Sequence, residues 1–199
     1  MGKLIVQITE VVYKFIALNI LWLFFFVAGL GLFGFMPATL ALFRVIRDWI
    51  KGNQFNLFSS YFTYYKAEFI RSNIVGAIFI GLFYIIYVNF SFAGYFYSES
   101  TQLFVYLVIA AIAAIVLMTF LNVFSVMAHF EYKTFSYIKA SLGLVFAHPL
   151  MTLTQLVWLL AYFLIVVNFP RVSFVIGISV FAYVLMNVNY SVFKKYNAV

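Results

Sequence analysis

The sequence predicts an all-α fold: a polytopic membrane helix bundle of five to six membrane helices, with a Gly/Pro break after the first and two cytoplasmic amphipathic helices. Three observations lead there. Of 199 residues, 67% are hydrophobic and 9% charged, whereas a soluble domain carries about 25% charged residues to cover its wet surface. Apolar runs recur at the roughly 20 residues that a helix needs to cross about 30 Å of hydrocarbon. The basic residues gather in alternate connections, as cytoplasmic loops do. Backbone amides in lipid must be paired within their own segment, and the runs are too long for barrel strands, so each is a helix.

The first run, about 15 to 35, is FIALNILWLFFFVAGLGLFGF. Its end, GLGLFG over 29 to 34, matches G-x-G-x-x-G. That fingerprint binds a dinucleotide only between a strand and a helix of a βαβ unit. Here it closes an apolar helix, so Gly29, Gly31, Gly34 and Pro37 are read as a helix break. Gly permits the dihedrals of a reversal, and Pro suits the first turn of a helix. If the chain goes out through 15 to 30 and returns through a helix opened by Pro37, about 38 to 51, then eleven of the twelve basic residues are cytoplasmic, Lys3 and Lys14 included; a single crossing leaves nine. A partly inserted or re-entrant hairpin arm is expected, with a single crossing plus a surface helix as the alternative. The run lacks a clear A-x-A site and is kept as a native helix rather than a cleaved signal.

On the short returning helix, Arg44, Arg47 and Lys51 share a face at spacings of 3 and 4, which makes them candidates for contact with anionic lipid headgroups. Asp48 stands four residues after Arg44 and is expected to pair with it on the surface. Next, Phe55, Phe58, Phe62, Tyr65 and Phe69 recur at 3, 4, 3 and 4, one stripe on a helix whose other face is polar. A second stretch, 131 to 147, repeats the rhythm with Phe135, Ile138, Leu142 and Val145. Both are read as helices along the cytoplasmic interface. They either dock a partner, with Phe55, Phe58, Phe62, Tyr65 and Phe69 as the candidate residues, or lie on lipid and pack on the bundle.

The remaining spans are about 74 to 97 and 102 to 128, joined by SEST, then 150 to 169 and 172 to 192, joined by NFPRVS. These two links hold a single basic residue, Arg171, and read as outside turns. Lys194 and Lys195 place the C-terminus in the cytoplasm, and the charge count places the N-terminus there too. No Pro-, Ser- or charge-rich linker divides the chain, so 1–199 is one integral membrane domain.

Little in the sequence points to chemistry. Without cysteine there is no disulfide, thiolate metal site or cysteine nucleophile. The acids Glu10, Asp48, Glu68, Glu99 and Glu131 fall at helix ends or in loops. His129 and His148 are nineteen residues apart and form no zinc-helix motif. P-loops, serine elbows and paired catalytic carboxylates do not occur. No catalytic residue, cofactor, metal or nucleic-acid partner is expected, although a membrane enzyme using the two histidines stands as a third class. The polar residues within the spans are amides and hydroxyls, including Asn19, Asn89, Asn122, Ser125, Gln155, Asn187 and Asn189. They either line a cavity or join helices by hydrogen bonds.

The run LNILWLFFFVAGLGLFGFMPATLALFRVIRDWIKGN, followed by F-x-x-Y-F-x-x-Y-K-x-E-F at 58 to 69, resembles the YesL-like family of small bacterial integral membrane proteins of unknown function. Asn19, Trp22, Pro37, Ala38, Arg47, Gly52, Phe62, Lys66 and Phe69 carry the likeness, which is specific over about 15 to 75 and general beyond. Many relatives show a Thr-rich turn where this chain has glycines. Genes of the family typically stand beside those for ABC-type carbohydrate importers and glycan-degrading enzymes in Gram-positive bacteria. The resemblance therefore implies an accessory or regulatory component of carbohydrate uptake in a bacterial cell membrane, touching importer permease subunits, while the basic face of Arg44, Arg47 and Lys51 adds anionic lipid as an expected partner. An autonomous small-solute transporter or channel is the alternative, and a homo-oligomer fits either.

Overall fold

The structure is a computed structural model that describes residues 2–172 and 177–196. The described residues form a succession of helices: α1 (Gly2–Ala28), α2 (Leu32–Lys51), α3 (Leu57–Phe96), α4 (Glu99–His129), α5 (Thr134–Ala147), α6 (Pro149–Asn168), a single turn α7 (Pro170–Val172) and α8 (Ile178–Phe193), with a 3-10 turn at Lys194–Tyr196. Among the described residues four segments are long and apolar enough to cross a membrane: Ile5–Ala28, α3, α4 and α6. The chain is thus a multi-pass helical membrane protein. Residues 173–176, at the start of the last expected span, and the side chain of Lys3 lie outside the described residues.

The reversal expected at the glycines is a three-residue turn, Gly29–Leu30–Gly31, with φ of 58° at Leu30 and 72° at Gly31. Gly31 meets that geometry at no steric cost. Gly29 and Gly34 serve a different need, because a Cβ on Gly29 would run into the Cα of Gly34, and one on Gly34 into the carbonyl of Phe26. Glycine lets the two arms of the hairpin touch. Leu30 and Leu32 face outward, and Tyr65, whose hydroxyl reaches Gly29, donates to the Phe25 carbonyl rather than to the turn's own backbone groups. Those groups pair locally instead: Gly29, Leu30 and Gly31 donate N–H bonds to Phe25, Val27 and Phe26, and Gly34 and Phe35 donate to Gly31.

The expected start of α2 is corrected. The helix begins at Leu32, five residues before Pro37, which lies inside it. Proline there removes the N–H that would bond the carbonyl of Phe33. Asn73 Nδ2 from α3 supplies the missing donor at 3.0 Å. The helix therefore passes through the proline, and the break stays at the glycines.

Far from lying on the surface, α2 is the core of the molecule. Ala38, Leu40, Ala41, Leu42, Val45 and Ile46 are fully buried, wrapped by α1, α3, α4 and α8. Its twenty residues make about 30 Å of helix. At the far end Gly52, with φ of 75°, closes it by donating to Trp49, while Asn53 donates to Asp48, a left-handed glycine cap.

The first amphipathic stretch is also corrected. It is not a separate surface helix but the opening of the forty-residue α3. Asn56 caps it by accepting from the Ser59 N–H, and no breaker separates 69 from 74. Asn73 and Ser72 bond back to the Phe69 carbonyl, so the helix runs on. Tyr61, Asn73 and Gly76 meet the Phe33–Ala38 part of α2, whereas Tyr64 and Glu68 meet Arg44 and Asp48.

Further out, α3 and α4 pair through Phe79, Phe83 and Phe120, then Phe90 against Tyr106. The second amphipathic stretch is a separate helix, α5, but its buried line is Tyr137, Ser141 and Val145, while Phe135, Leu142 and Phe146 stay exposed. Of the expected stripe only Val145 is fully inside. The α5 face was misjudged because Tyr137 and Ser141 look polar in sequence. Each is satisfied inside, Tyr137 by Phe130 and Tyr132, and Ser141 by the Tyr137 carbonyl. On α6 only Met151 and Gln155 are buried.

Candidate functional site

Three of the four charged side chains of α2, Arg44, Arg47 and Asp48, are directed inward. Arg44 donates to Glu68 Oε1 at 2.8 Å and to the Met127 carbonyl at 3.3 Å. Arg47 binds Asp48 Oδ1 through Nε and Nη2, and reaches the Ala128 carbonyl through Nη1. The other oxygen of Asp48 accepts from Tyr64 at 2.6 Å. Arg71 stands 3.5 Å from Glu68 and donates to Tyr137 at 3.4 Å. The result is an ionic brace among α2, α3, the last turn of α4 and α5. Both guanidinium groups on α2 meet carbonyls at a helix C-terminus, where the partial negative charge of the helix favours a cation.

The expected Arg44–Asp48 surface pair is therefore corrected: Arg44 takes Glu68, and Asp48 takes Arg47 and Tyr64. Arg44 and Arg47 are largely buried in these pairs, and of the three residues read as lipid contacts only Lys51 is exposed. The buried atoms Glu68 Oε2 and Arg44 Nε have no hydrogen-bond partner, and a water between helices commonly satisfies such groups.

The aromatic stripe of α3 also turns toward the bundle. Phe25 of α1 sits against Phe58, Tyr61, Phe62 and Tyr65 at ring separations of 4.8 to 6.2 Å. Tyr65 donates to the Phe25 carbonyl at 3.2 Å, and Tyr61 to the Ala38 carbonyl at 2.6 Å. Phe58 and Phe62 remain about half exposed, at 57% and 47%. Phe55 and Tyr65 are half-buried, as is Phe69, whose ring lies 5.5 Å from Tyr65.

Four of the amide and hydroxyl residues come together. Gln155 Nε2 donates to Asn122 and Asn189 at 2.9 and 3.1 Å, and Asn189 donates to Ser125 at 2.9 Å. All four are fully buried and join α4, α6 and α8. Asn89 bonds within its own helix on an exposed face, and Asn187 is exposed. His129 lies among Phe130, Tyr190 and Phe193, and His148 bonds Tyr196 at 2.8 Å. Among the described residues no group of three or more His, Cys, Asp or Glu is placed to hold a metal.

The residues that sequence reasoning missed are Glu68, Tyr64 and Arg71 in the brace, and Phe25 and Tyr61 in the aromatic cluster. Tyr64, Glu68 and Arg71 stand at spacings of 4 and 3, one helical line, but a line of polar residues beside an aromatic stripe reads first as a wet face.

The model of the family described as "Protein of unknown function, DUF624" matches residues 15–90. Uncharacterized protein YteU of Bacillus subtilis (strain 168) is 34% identical over 197 residues, which cover 98% of this chain and 87% of YteU. The chain belongs to the DUF624 family. Uncharacterized protein YesL, from the same organism, is 35% identical over 137 residues, 68% of this chain and 64% of YesL. Uncharacterized protein YesV, likewise, is 31% identical over 147 residues, 72% of this chain and 69% of YesV. The likeness read in the N-terminal third is thus a family relation, and for YteU it runs through nearly the whole chain. No solved structure matches. The DUF624 match contains the glycine hairpin, the Pro37–Asn73 closure and the Arg44–Glu68 pair, whereas the α4 carbonyls that complete the brace lie outside it.

Proposed function

We propose that this DUF624 protein is an accessory or regulatory component of ABC-type carbohydrate uptake in a bacterial cell membrane. It works by assembly with importer permease subunits and has no catalytic activity of its own. The resemblance to the YesL-like family suggests the setting. One structural observation carries the reading: polar side chains inside the bundle bind one another, while long helix faces are left outward, above all on α6 and on the outer halves of α3 and α4. Such faces suit lipid or the spans of another membrane protein.

In this reading both termini are cytoplasmic. Phe58 and Phe62 offer the accessible part of the α3 stripe for docking, with Phe55, Tyr65 and Phe69 behind them. Lys51 faces anionic headgroups. A pull-down of tagged protein from its native membrane in mild detergent recovers permease subunits, identified by mass spectrometry. Recovery of the protein alone across several extraction conditions overturns the proposal.

A second reading, an autonomous small-solute transporter or channel, has one observation in its favour. In the buried cluster Asn122 Nδ2 and Gln155 Oε1 have no hydrogen-bond partner. Solute flux in liposomes holding only this protein would establish it, and sealed vesicles would exclude it for the solutes tried.

A further inference from the structure

At the α5–α6 link, the first turns of α6 and the end of α8 enclose an open groove of about 520 Å³. Its lining combines polar His148, Lys195, Thr154 and Ser191 with apolar Leu150, Met151, Val188 and Val192. The groove lies where a membrane-crossing segment begins, since α6 is apolar enough to span from Pro149 onward. Leu150, at the start of that segment, is 81% exposed, an apolar surface of the kind that lipid covers.

We propose that this groove seats one anionic phospholipid, with the headgroup phosphate on Lys195 and the upper acyl chain along Leu150, Met151, Val188 and Val192. Charge decides the choice of lipid. The acids of the brace are occupied by Arg44, Arg47 and Arg71, and Glu10 by Lys14 at 2.7 Å. Lys195 is exposed and no described carboxylate pairs with it. Its neighbour Lys194 stands over the Tyr190 ring at 4.8 Å, which adds positive charge beside the groove.

The His148–Tyr196 hydrogen bond ties the turn bearing Lys195 to the foot of α6, so this part of the lining is held in place. Two other large grooves differ. One, beside α1, is lined by the mutually paired Glu10 and Lys14 and by uncharged side chains, and one on outer α3 is lined by tyrosine, phenylalanine, valine and serine alone.

Native mass spectrometry of protein released from bilayers of phosphatidylglycerol and phosphatidylcholine with matched acyl chains tests the site. The wild type retains one phosphatidylglycerol in preference to phosphatidylcholine. Lys195→Gln reduces that preference about fivefold, the scale of one basic residue near an anionic surface. Lys66→Gln, a change on an exposed lysine of α3 outside the groove, leaves it unchanged. Val188→Trp adds bulk to the apolar lining and lowers retention of the bound lipid while keeping the charge. Equal retention of the two lipids overturns the proposal, as does a preference that survives Lys195→Gln. Loss of the preference in millimolar inorganic phosphate, with Val188→Trp having no effect, also overturns it, since the groove is then a simple anion site.

Discussion

Glu68 shows what one side chain does in this protein. Its carboxylate meets Arg44 at 2.8 Å and Arg71 at 3.5 Å with little access to solvent. Removing one member of a buried pair leaves an uncompensated charge, which costs about 3 to 5 kcal/mol. Glu68→Gln is therefore expected to lower the thermal midpoint of the detergent-solubilised protein, read by loss of its monodisperse size-exclusion peak. Lys66→Gln, two residues away and exposed, should shift it little. At Gly34 the obstacle is backbone, the Phe26 carbonyl, which cannot swing aside as a side chain can. Gly34→Ala is predicted to open the hairpin and destabilise the fold. Gly81→Ala, which adds a methyl where nothing stands within 4 Å, is predicted to be tolerated. Retention of full stability in Gly34→Ala would contradict the close approach.

Elements are tied to each other by a few exchanges of backbone partners. Pro37 leaves the Phe33 carbonyl without its intrahelical donor, and Asn73 of α3 takes its place. Asn73→Leu is expected to cost about 1 to 3 kcal/mol, the usual consequence of a stranded acceptor. Pro37→Ala restores an N–H to the same carbonyl, so the double variant Asn73→Leu/Pro37→Ala should regain part of that loss. Strict additivity of the two single changes in a thermal-stability cycle would show that they act independently. Glycines followed by proline announced a reversal, and the chain reverses there. Where α2 begins was not legible, since the donor that lets it run through Pro37 comes from a residue thirty-six positions downstream.

At the scale of the molecule, the buried α2 binds the rest together. α1, α3, α4 and α8 meet on its sides, and α6 is joined through Gln155 to Asn122 and Asn189. Gln155→Leu should loosen α6 at a cost of about 1 kcal/mol, the scale of a hydrogen bond between membrane helices. The chain has no cysteine, so single cysteines report topology without background. If both termini are cytoplasmic, as the proposed orientation has them, Asn53→Cys and Lys195→Cys should react with impermeant maleimide only in inside-out vesicles, and Ser100→Cys only in intact cells. Labelling of Asn53→Cys from outside would require α1 and α2 to be placed in the opposite sense.

Composition and run length determined that this is a helical membrane protein, and the glycines and proline over Gly29–Pro37 that the first helix breaks there, because those properties depend on local chemistry and on how much apolar surface the chain carries. Tertiary structure decided the rest. Arg44 and Arg47 looked like a lipid-facing stripe, and the partners that turn them inward, Glu68, Met127 and Ala128, are 24, 83 and 81 positions away. Period and charge along a helix show which residues share a face. Which face is covered depends on which other segment arrives to supply its hydrogen bonds.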